Sequence, residues 1–251
     1  MKRQAWSGIV LAGLLVSSPL AAEPLSDLRT RLAGLRGDQP IRMEMDVELK
    51  HRGSAPLHLN KEKRRGGAVA DYGSRGVEMI EQWWTGSSTR ISVWQQGKAK
   101  TDMPLLDEGE AQDLADPVGM LDLLLEDAVL VSDETSTWQG QPARLVVIHP
   151  LAAKEQAKDA SEDPAKRQPE PFPIEAKIWL SNDGVPLALE RSAELRLGGA
   201  LAITEHQTFT FQQVEGRLLG ATADETYSGT GLAVLHSRND KRIKVTAVKS
   251  R

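Results

Sequence analysis

Residues 41–50 show the most regular pattern of apolar and polar side chains in the sequence. Apolar residues occupy every second position, and every position between them is charged. The apolar positions are Ile41, Met43, Met45, Val47 and Leu49. Because side chains along a strand point alternately to opposite faces, this segment has one apolar and one charged face. The pattern predicts a half-buried antiparallel strand.

The segments that follow are predicted to form more strands. Residues 57–65 read as a return strand that ends in a turn at Gly66 and Gly67, since paired glycines are typical of turns. Residues 77–84 fit either a helix or a strand, and residues 90–95 fit a strand.

Two segments have the apolar spacing of a helix. In residues 24–36, leucines recur at intervals of three or four, Ser26 fits the N-cap position, and Gly37 fits the position after the last turn. A second helix is predicted to begin after Asp116, because Pro117 is accommodated in a first helical turn. The apolar face of this second helix would consist of Val118, Leu121, Leu124 and Leu125.

Strands and tight turns dominate the sequence from Ala128 onward. Residues 174–180 alternate again, Asn182-Asp183-Gly184 is typical of a hairpin turn, and Gly216 predicts another turn. Consecutive hairpins favour an antiparallel meander over parallel strands joined by helices. The sequence therefore predicts a mainly β (α+β) fold: a strongly curved antiparallel sheet, or incomplete β-barrel, with two or more helices packed on its concave side.

Residues 1–22 have the three parts of a secretory signal peptide. Lys2 and Arg3 precede an uncharged apolar run, and Ala21-Ala22 provides the small residues of a cleavage site. We expect cleavage near Ala22 and export to the periplasm. Residues 23–251 are then expected to form a single domain, interrupted at 151–173 by a long exposed loop rich in Ala, Pro and charged residues.

Charge and cysteine content exclude several classes of function. The net charge of −4 disfavours a nucleic-acid partner, because phosphate binding rewards basic surfaces. The sequence has no cysteine, so it has no disulfide, no thiol chemistry and no cysteine for lipid attachment after the apolar run.

The order of these elements resembles the periplasmic lipoprotein-sorting carrier superfamily (LolA/LolB-like). The resemblance is carried by an export signal, an N-terminal amphipathic helix, a long alternating strand, a mid-chain helix and a run of hairpins. It is most evident at 175–189, with its Asn-Asp-Gly turn, and at 201–214, where Thr and Phe alternate. The resemblance implies an incomplete β-barrel closed by helices over an apolar cavity, and a role like that of outer-membrane lipoprotein-sorting proteins.

Methionine and tryptophan side chains are the candidates for contact with a hydrophobic ligand. Methionine is flexible enough to accommodate acyl chains, and tryptophan offers a large apolar surface with one polar atom. The candidate cavity-lining residues are Met43, Met45, Val47, Trp83, Trp94 and Trp179. Packing of an ordinary core explains the same residues, and the sequence leaves both interpretations open.

No set of residues predicts catalysis, a metal site or a cofactor. His51 and His58 fit neighbouring strands, but the five histidines form no metal-binding motif. Ser228 is predicted in a turn between strands, without the strand-to-helix context of a nucleophile elbow. The acidic stretch 107–127 is expected to be a solvated helix face or a partner interface, and the basic run 61–65 a solvated hairpin tip or a contact for anionic lipid.

The favoured hypothesis is a non-enzymatic periplasmic binder or carrier of a lipid, an acyl chain or a lipoprotein tail. The alternative is an envelope sensor or assembly factor that binds a protein partner, including a membrane-associated one, through 107–127 or 151–173.

Overall fold

The structure, a computed structural model, describes residues 23–55, 58–85, 106–150, 174–197, 201–231 and 235–251. The predicted signal peptide, the strand expected at 90–95 with Trp94, and the loop expected at 151–173 lie outside these residues.

Within the described ranges, ten strands form one antiparallel sheet. They are β1 (Ile41–Ala55), β2 (His58–Gly73), β3 (Gly76–Trp84), β4 (Val129–Trp138), β5 (Gln141–His149), β6 (Ile174–Leu180), β7 (Pro186–Leu197), β8 (Leu201–Val214), β9 (Arg217–Gly231) and β10 (Leu235–Ser250). The helices are α1 (Glu23–Ala33), α2 (Glu108–Ala115) and α3 (Pro117–Leu125).

The strand order is β3-β2-β1-β10-β9-β8-β7-β6-β5-β4. Every neighbour in this order is also a neighbour in sequence except β1 and β10, so the predicted meander is confirmed. The β1–β10 pairing joins the two ends of the chain, and its ladder runs from Ile41 opposite Ser250 to Ser54 opposite His236.

The sheet is strongly curved, and the helices lie on its concave side. Helix α2 contacts both β3 and β9, which are four strands apart. In a flat sheet these strands would be roughly 19 Å apart, more than either the diameter of a helix, about 10–12 Å, or the length of the eight-residue α2, about 12 Å. One hydrophobic core includes side chains from all three helices and from both halves of the sheet. The predicted fold class is confirmed.

Helix α1 differs in detail from the prediction. Its described part is Glu23–Ala33, so Ser26 lies within the helix and is not its N-cap. Gly37 lies beyond the end of the helix, against the side chain of Arg217. A Cβ atom on Gly37 would come within 2.4 Å of Arg217 Cδ, so close packing explains this glycine.

Gly66 and Gly67 do not form the predicted turn. Both lie within β2, opposite Val47 and Asp46 of β1. The ring of Trp83 lies over Gly67, where a Cβ atom would come within 2.3 Å of the ring. The prediction was wrong because a strand also accommodates glycine where another group approaches its backbone closely.

Two further predictions about local structure are settled by the described elements. The turns at Asn182-Asp183-Gly184 and at Gly216 are confirmed, and both glycines have positive φ. Ser228 is not in a turn; it lies within β9, where its hydroxyl group bonds that of Thr204 on β8.

The acidic stretch forms two helices where one was predicted. Asp107 caps α2 in a capping box with Glu110, and Asp116 caps α3, accepting a hydrogen bond from Gly119 N at 3.0 Å. The predicted start of α3 at Pro117 is confirmed. The break arises because Pro117 has no N–H and restricts the residue before it.

Candidate functional site

An apolar row crosses the concave face of the sheet along the cross-strand pairs. Residues paired across neighbouring strands share a face, so the row can be followed through the register. It runs from β5 to β1 through Val146, Ile178, Leu189, Phe209, Ala223, Ile243 and Val47. All of these side chains are buried.

The helices cover this row and fill the space above it. Leu32, Leu121 and Leu125 of α1 and α3 are among the largest fully buried side chains. Leu114 of α2 lies over Gly220 of β9, where a Cβ atom would meet Leu114 Cα at 2.9 Å and Cδ2 at 2.4 Å. Close approach of α2 to the sheet therefore requires a glycine at this position.

Methionine is prominent in the covered region. Met43 and Met45 of β1, Met79 of β3 and Met120 of α3 are all buried in the core. Methionine adapts its shape to its surroundings more readily than branched side chains do. The concave face of the sheet and the helices over it can therefore rearrange around a flexible molecule more easily than a core of leucine and isoleucine alone.

The predicted cavity-lining residues lie in different places. Met43, Met45 and Val47 share the concave apolar face, as expected from their alternation. Trp83 lies on the opposite face, 37% exposed. Trp179 also faces away from the core, because it alternates with the buried Ile178 and Leu180. Its ring contacts that of Trp138, with centroids 4.8 Å apart. Trp94 is outside the described residues.

A row of polar side chains lies beside the apolar row on the same face of the sheet, two residues away along each strand. It comprises Arg191, Gln207, Glu225 and Lys241, on β7 to β10. Arg191 Nε donates to Gln207 Oε1, and Gln207 Nε2 donates to Glu225 Oε1. The Arg191 guanidinium also lies over the ring of Phe209, 5.4 Å from its centroid. These contacts fix the orientation of the guanidinium group.

Helix α2 presents two carboxylates to this polar row. Glu110 and Asp113 are three residues apart and so lie on the same side of the helix. Glu110 accepts a hydrogen bond from Lys241 Nζ, and Asp113 Oδ2 lies 3.5 Å from Arg191 Nη2. These two acidic residues therefore connect the helix to the sheet, a role that the expectation of a solvated helix face or a partner interface for 107–127 did not include.

Burial raises the pKa of both carboxyl groups above their ordinary values. For Glu110 the desolvation outweighs the opposite effect of Lys241, and for Asp113 it outweighs that of Arg191. The ionised form of each carboxyl group is therefore less stable in this structure, where α2 lies on the sheet, than it would be in water.

A small cavity of about 40 Å³ lies where the polar and apolar rows meet. Glu110, Asp113 and Arg191 line its polar side, and Phe209 and Ile243 line its apolar side. A volume of this size holds about one water molecule and is too small for an acyl chain.

Buried polar contacts attach both ends of α2 to the sheet. The Arg217 guanidinium donates to Ala115 O at 3.0 Å and to Gln39 O at 2.8 Å, and it lies over the ring of Tyr72. Gln82 of β3 is bonded to both the N–H and the C=O of Leu106, just before α2. Both ends of α2 are therefore hydrogen-bonded to the sheet in this structure.

The described residues contain no group of His, Asp and Glu that could hold a metal ion. His51 Nδ1 contacts Asn239, and the register places His51 opposite Glu62 and His58 opposite Ala55. The two histidines are thus not cross-strand partners. No helix within the described part of the chain is long and apolar enough to span a membrane.

Sequence reasoning did not identify the polar row. The available signal was a polar residue at a position where the alternation of its strand predicts an apolar one. Lys241, two residues before Ile243, and Arg191, two residues after Leu189, are examples. That signal became informative only when the register placed these residues side by side.

The sequence matches no family model and no curated protein. Solved structures with a similar arrangement include a DUF1329 family protein from Desulfovibrio piger, with 13% identity, coverage of 92% of this chain and 93% of that chain, and a TM-score of 0.43.

Two further solved structures are similar to this chain. A putative outer membrane lipoprotein-sorting protein domain from Vibrio parahaemolyticus has 14% identity, coverage of 90% and 92%, and a TM-score of 0.37. A LolA superfamily protein from Nitrosomonas europaea has 11% identity, coverage of 90% and 93%, and a TM-score of 0.33. This is the superfamily that the order of elements in the sequence resembles.

Proposed function

We propose that the protein is an exported, non-enzymatic periplasmic binder or carrier of a hydrophobic ligand, such as an acyl chain, a lipid or a lipoprotein tail. The ligand lies on the concave apolar row in a state in which α2 and α3 have moved away from it. Met43, Met45 and Val47 then contact the ligand directly. Each methylene group removed from water contributes about 0.8 kcal/mol, so binding needs no catalytic residue.

The observation that carries this proposal is how the apolar row is covered. The row crosses most of the width of the sheet, three short helices cover it within the described residues, and the four described methionines all lie in the covered region. The contact of α2 with the polar row includes two carboxylates whose pKa values burial raises. Moving α2 into water removes the cost of burying their charge, which offsets part of the cost of opening.

The alternative of a solid core with permanently fixed helices can be tested with a tether. A Cβ atom on Gly220 would lie 3.2 Å from Leu114 Cβ, close to the separation of about 3.5–4.5 Å found in disulfides. Because the separation is shorter than in a disulfide, α2 has to shift slightly away from β9, and the double variant L114C/G220C should then form a disulfide between them. The chain has no other cysteine, so no competing disulfide can form.

Binding of a fluorescent fatty acid to the delipidated double variant is then measured before and after reduction. We expect the oxidised form to bind at least about tenfold more weakly than the reduced form, a difference of about 1.4 kcal/mol. The reduced form is the matched control, because both forms have the same sequence. Circular dichroism of both forms checks that the fold is intact.

The outcomes separate the parts of the proposal. Equal binding by the oxidised and reduced forms contradicts the movement of α2. A wild-type protein that binds neither the probe nor any lipid recovered by native mass spectrometry contradicts the carrier function itself.

A further inference from the structure

In the ion pairs between α2 and the sheet, the helix provides the negative charges and the sheet provides the positive charges. Both cations, Arg191 and Lys241, belong to the sheet, and both carboxylates that contact them, Glu110 and Asp113, belong to the helix. When α2 moves away, it takes the two negative charges with it. The polar row then holds two cations and the Glu225 carboxylate, and so carries a net positive charge.

The two cations are partly buried, so the loss of their carboxylate partners would be unfavourable. The Lys241 and Arg191 side chains are only 14% and 27% exposed in the closed structure. A charge that is partly removed from water and loses its partner is costly. A ligand that displaces α2 therefore binds best if it brings a negative charge to the same place.

The two cations are also within reach of a single head group. Their backbones are separated by three strand spacings, roughly 14 Å in a flat sheet. Their side chains nevertheless converge on Glu110 and Asp113, whose Cβ atoms, as those of residues three apart on a helix, lie about 5–6 Å apart. Gln207 and the ring of Phe209 hold the Arg191 guanidinium independently of α2, so its orientation is retained after the helix moves.

The apolar row begins immediately beside this charged position. The small cavity already joins Arg191 to Phe209, Ala223 and Ile243. An acyl chain lying on the apolar row would therefore place its polar end at Arg191 and Lys241.

We propose that the ligand is an anionic amphiphile, and that Arg191 and Lys241 bind its carboxylate or phosphate head group in place of Asp113 and Glu110. Arginine suits this role because its guanidinium group can donate two parallel hydrogen bonds to one carboxylate or phosphate. This inference rests on the proposed function, and it specifies the chemical class of the ligand.

Competition between ligands of equal chain length tests it. The full mature protein is loaded with the fluorescent probe, and three ligands compete with it: palmitate, palmitoyl lysophosphatidate and the uncharged hexadecanol. Each is used at a concentration at which it remains monomeric in solution. We expect both anions to bind at least about tenfold more tightly than hexadecanol, the effect of one charge-assisted hydrogen bond. A preference for only one anion identifies the source of the head group as a fatty acid or a phospholipid.

Three variants locate the effect. R191Q and K241Q should each weaken palmitate binding about tenfold relative to hexadecanol binding, because any effect of the lost ion pair on the movement of α2 is common to both ligands. R242Q is the matched control, because Arg242 is adjacent in sequence to Lys241 but lies on the opposite face, where it contacts Asp224. Salt provides a measurement that needs no variant: it should weaken palmitate binding to the wild type and not hexadecanol binding.

Three results would overturn the inference. One is equal affinity for palmitate and hexadecanol, another is an equal loss of both in R191Q and K241Q, and the third is palmitate binding that salt does not weaken. Each of these leaves the carrier function standing. If none of the three ligands displaces the probe and none binds directly, the proposed function itself fails.

Discussion

The packing of Leu114 on Gly220 gives the most quantitative prediction, because it fixes how closely α2 approaches the sheet. In G220A the added methyl group would lie 2.4 Å from Leu114 Cδ2 and 2.9 Å from Leu114 Cα. The side chain can rotate, but the Cα atom can move only if the helix moves. We expect G220A to lower the free energy of unfolding by about 1–3 kcal/mol, the usual cost of overpacking.

A double-mutant cycle tests whether the two residues are coupled. L114A removes a fully buried side chain and should cost about 2–5 kcal/mol. In the L114A background the clash with Cδ2 is gone and the new methyl group fills part of the cavity, so G220A should then cost less than about 1 kcal/mol. The remaining cost reflects the crowding of the new methyl group against the helix backbone at position 114.

Urea denaturation of the wild type, both single variants and the double variant provides the four free energies of unfolding. A coupling of about 1–2 kcal/mol between the mutations is expected, within the range found for residues in contact. Additivity within about 0.3–0.5 kcal/mol, the result typical of distant sites, would show that α2 does not lie on Gly220 and would refute the reasoning.

The remaining predictions concern the polar contacts of α2. Q82L should lower the free energy of unfolding by about 2–4 kcal/mol, seen as a lower urea midpoint, because the buried N–H and C=O groups of Leu106 lose their partner. D107A should cost about 1 kcal/mol by the same assay, as removal of an N-cap usually does. The raised pKa values of Glu110 and Asp113 mean that their contribution is most stabilising below about pH 4, and is lost as pH rises through the native pKa values. Stability curves against pH should therefore show a larger decrease above about pH 4 in the wild type than in E110Q/D113N, and equal slopes would contradict this.

Local pattern was sufficient for the elements whose geometry depends on neighbouring residues. The alternation at 41–50 identified the buried face of β1, Pro117 identified the start of α3, and Asn182-Asp183-Gly184 identified a hairpin. In each case the physical cause, a side-chain period, a missing N–H or a positive φ, lies within a few residues of the feature it predicts.

The errors have the opposite character. Gly66 and Gly67 were interpreted as a turn because glycine permits one, whereas Gly67 is required by the ring of Trp83 on another strand. Gly37 was interpreted as a helix terminator and instead makes room for Arg217, far away in the sequence. A glycine required by close packing and a glycine required by a turn look the same in the sequence.

Alternation, turn residues and composition were thus sufficient for the class of fold, the faces of its main strands and the absence of cysteine chemistry. Three features emerge only from the packed chain: β1 pairs with β10, α2 lies on Gly220, and a polar row lies opposite Glu110 and Asp113. The polar row consists of Arg191, Gln207, Glu225 and Lys241. The reason is that a period of two states which side chains share a face of one strand but contains nothing about which strand lies beside it. Register between distant segments is set by the packing of the whole sheet, and the candidate site exists only once that register is fixed.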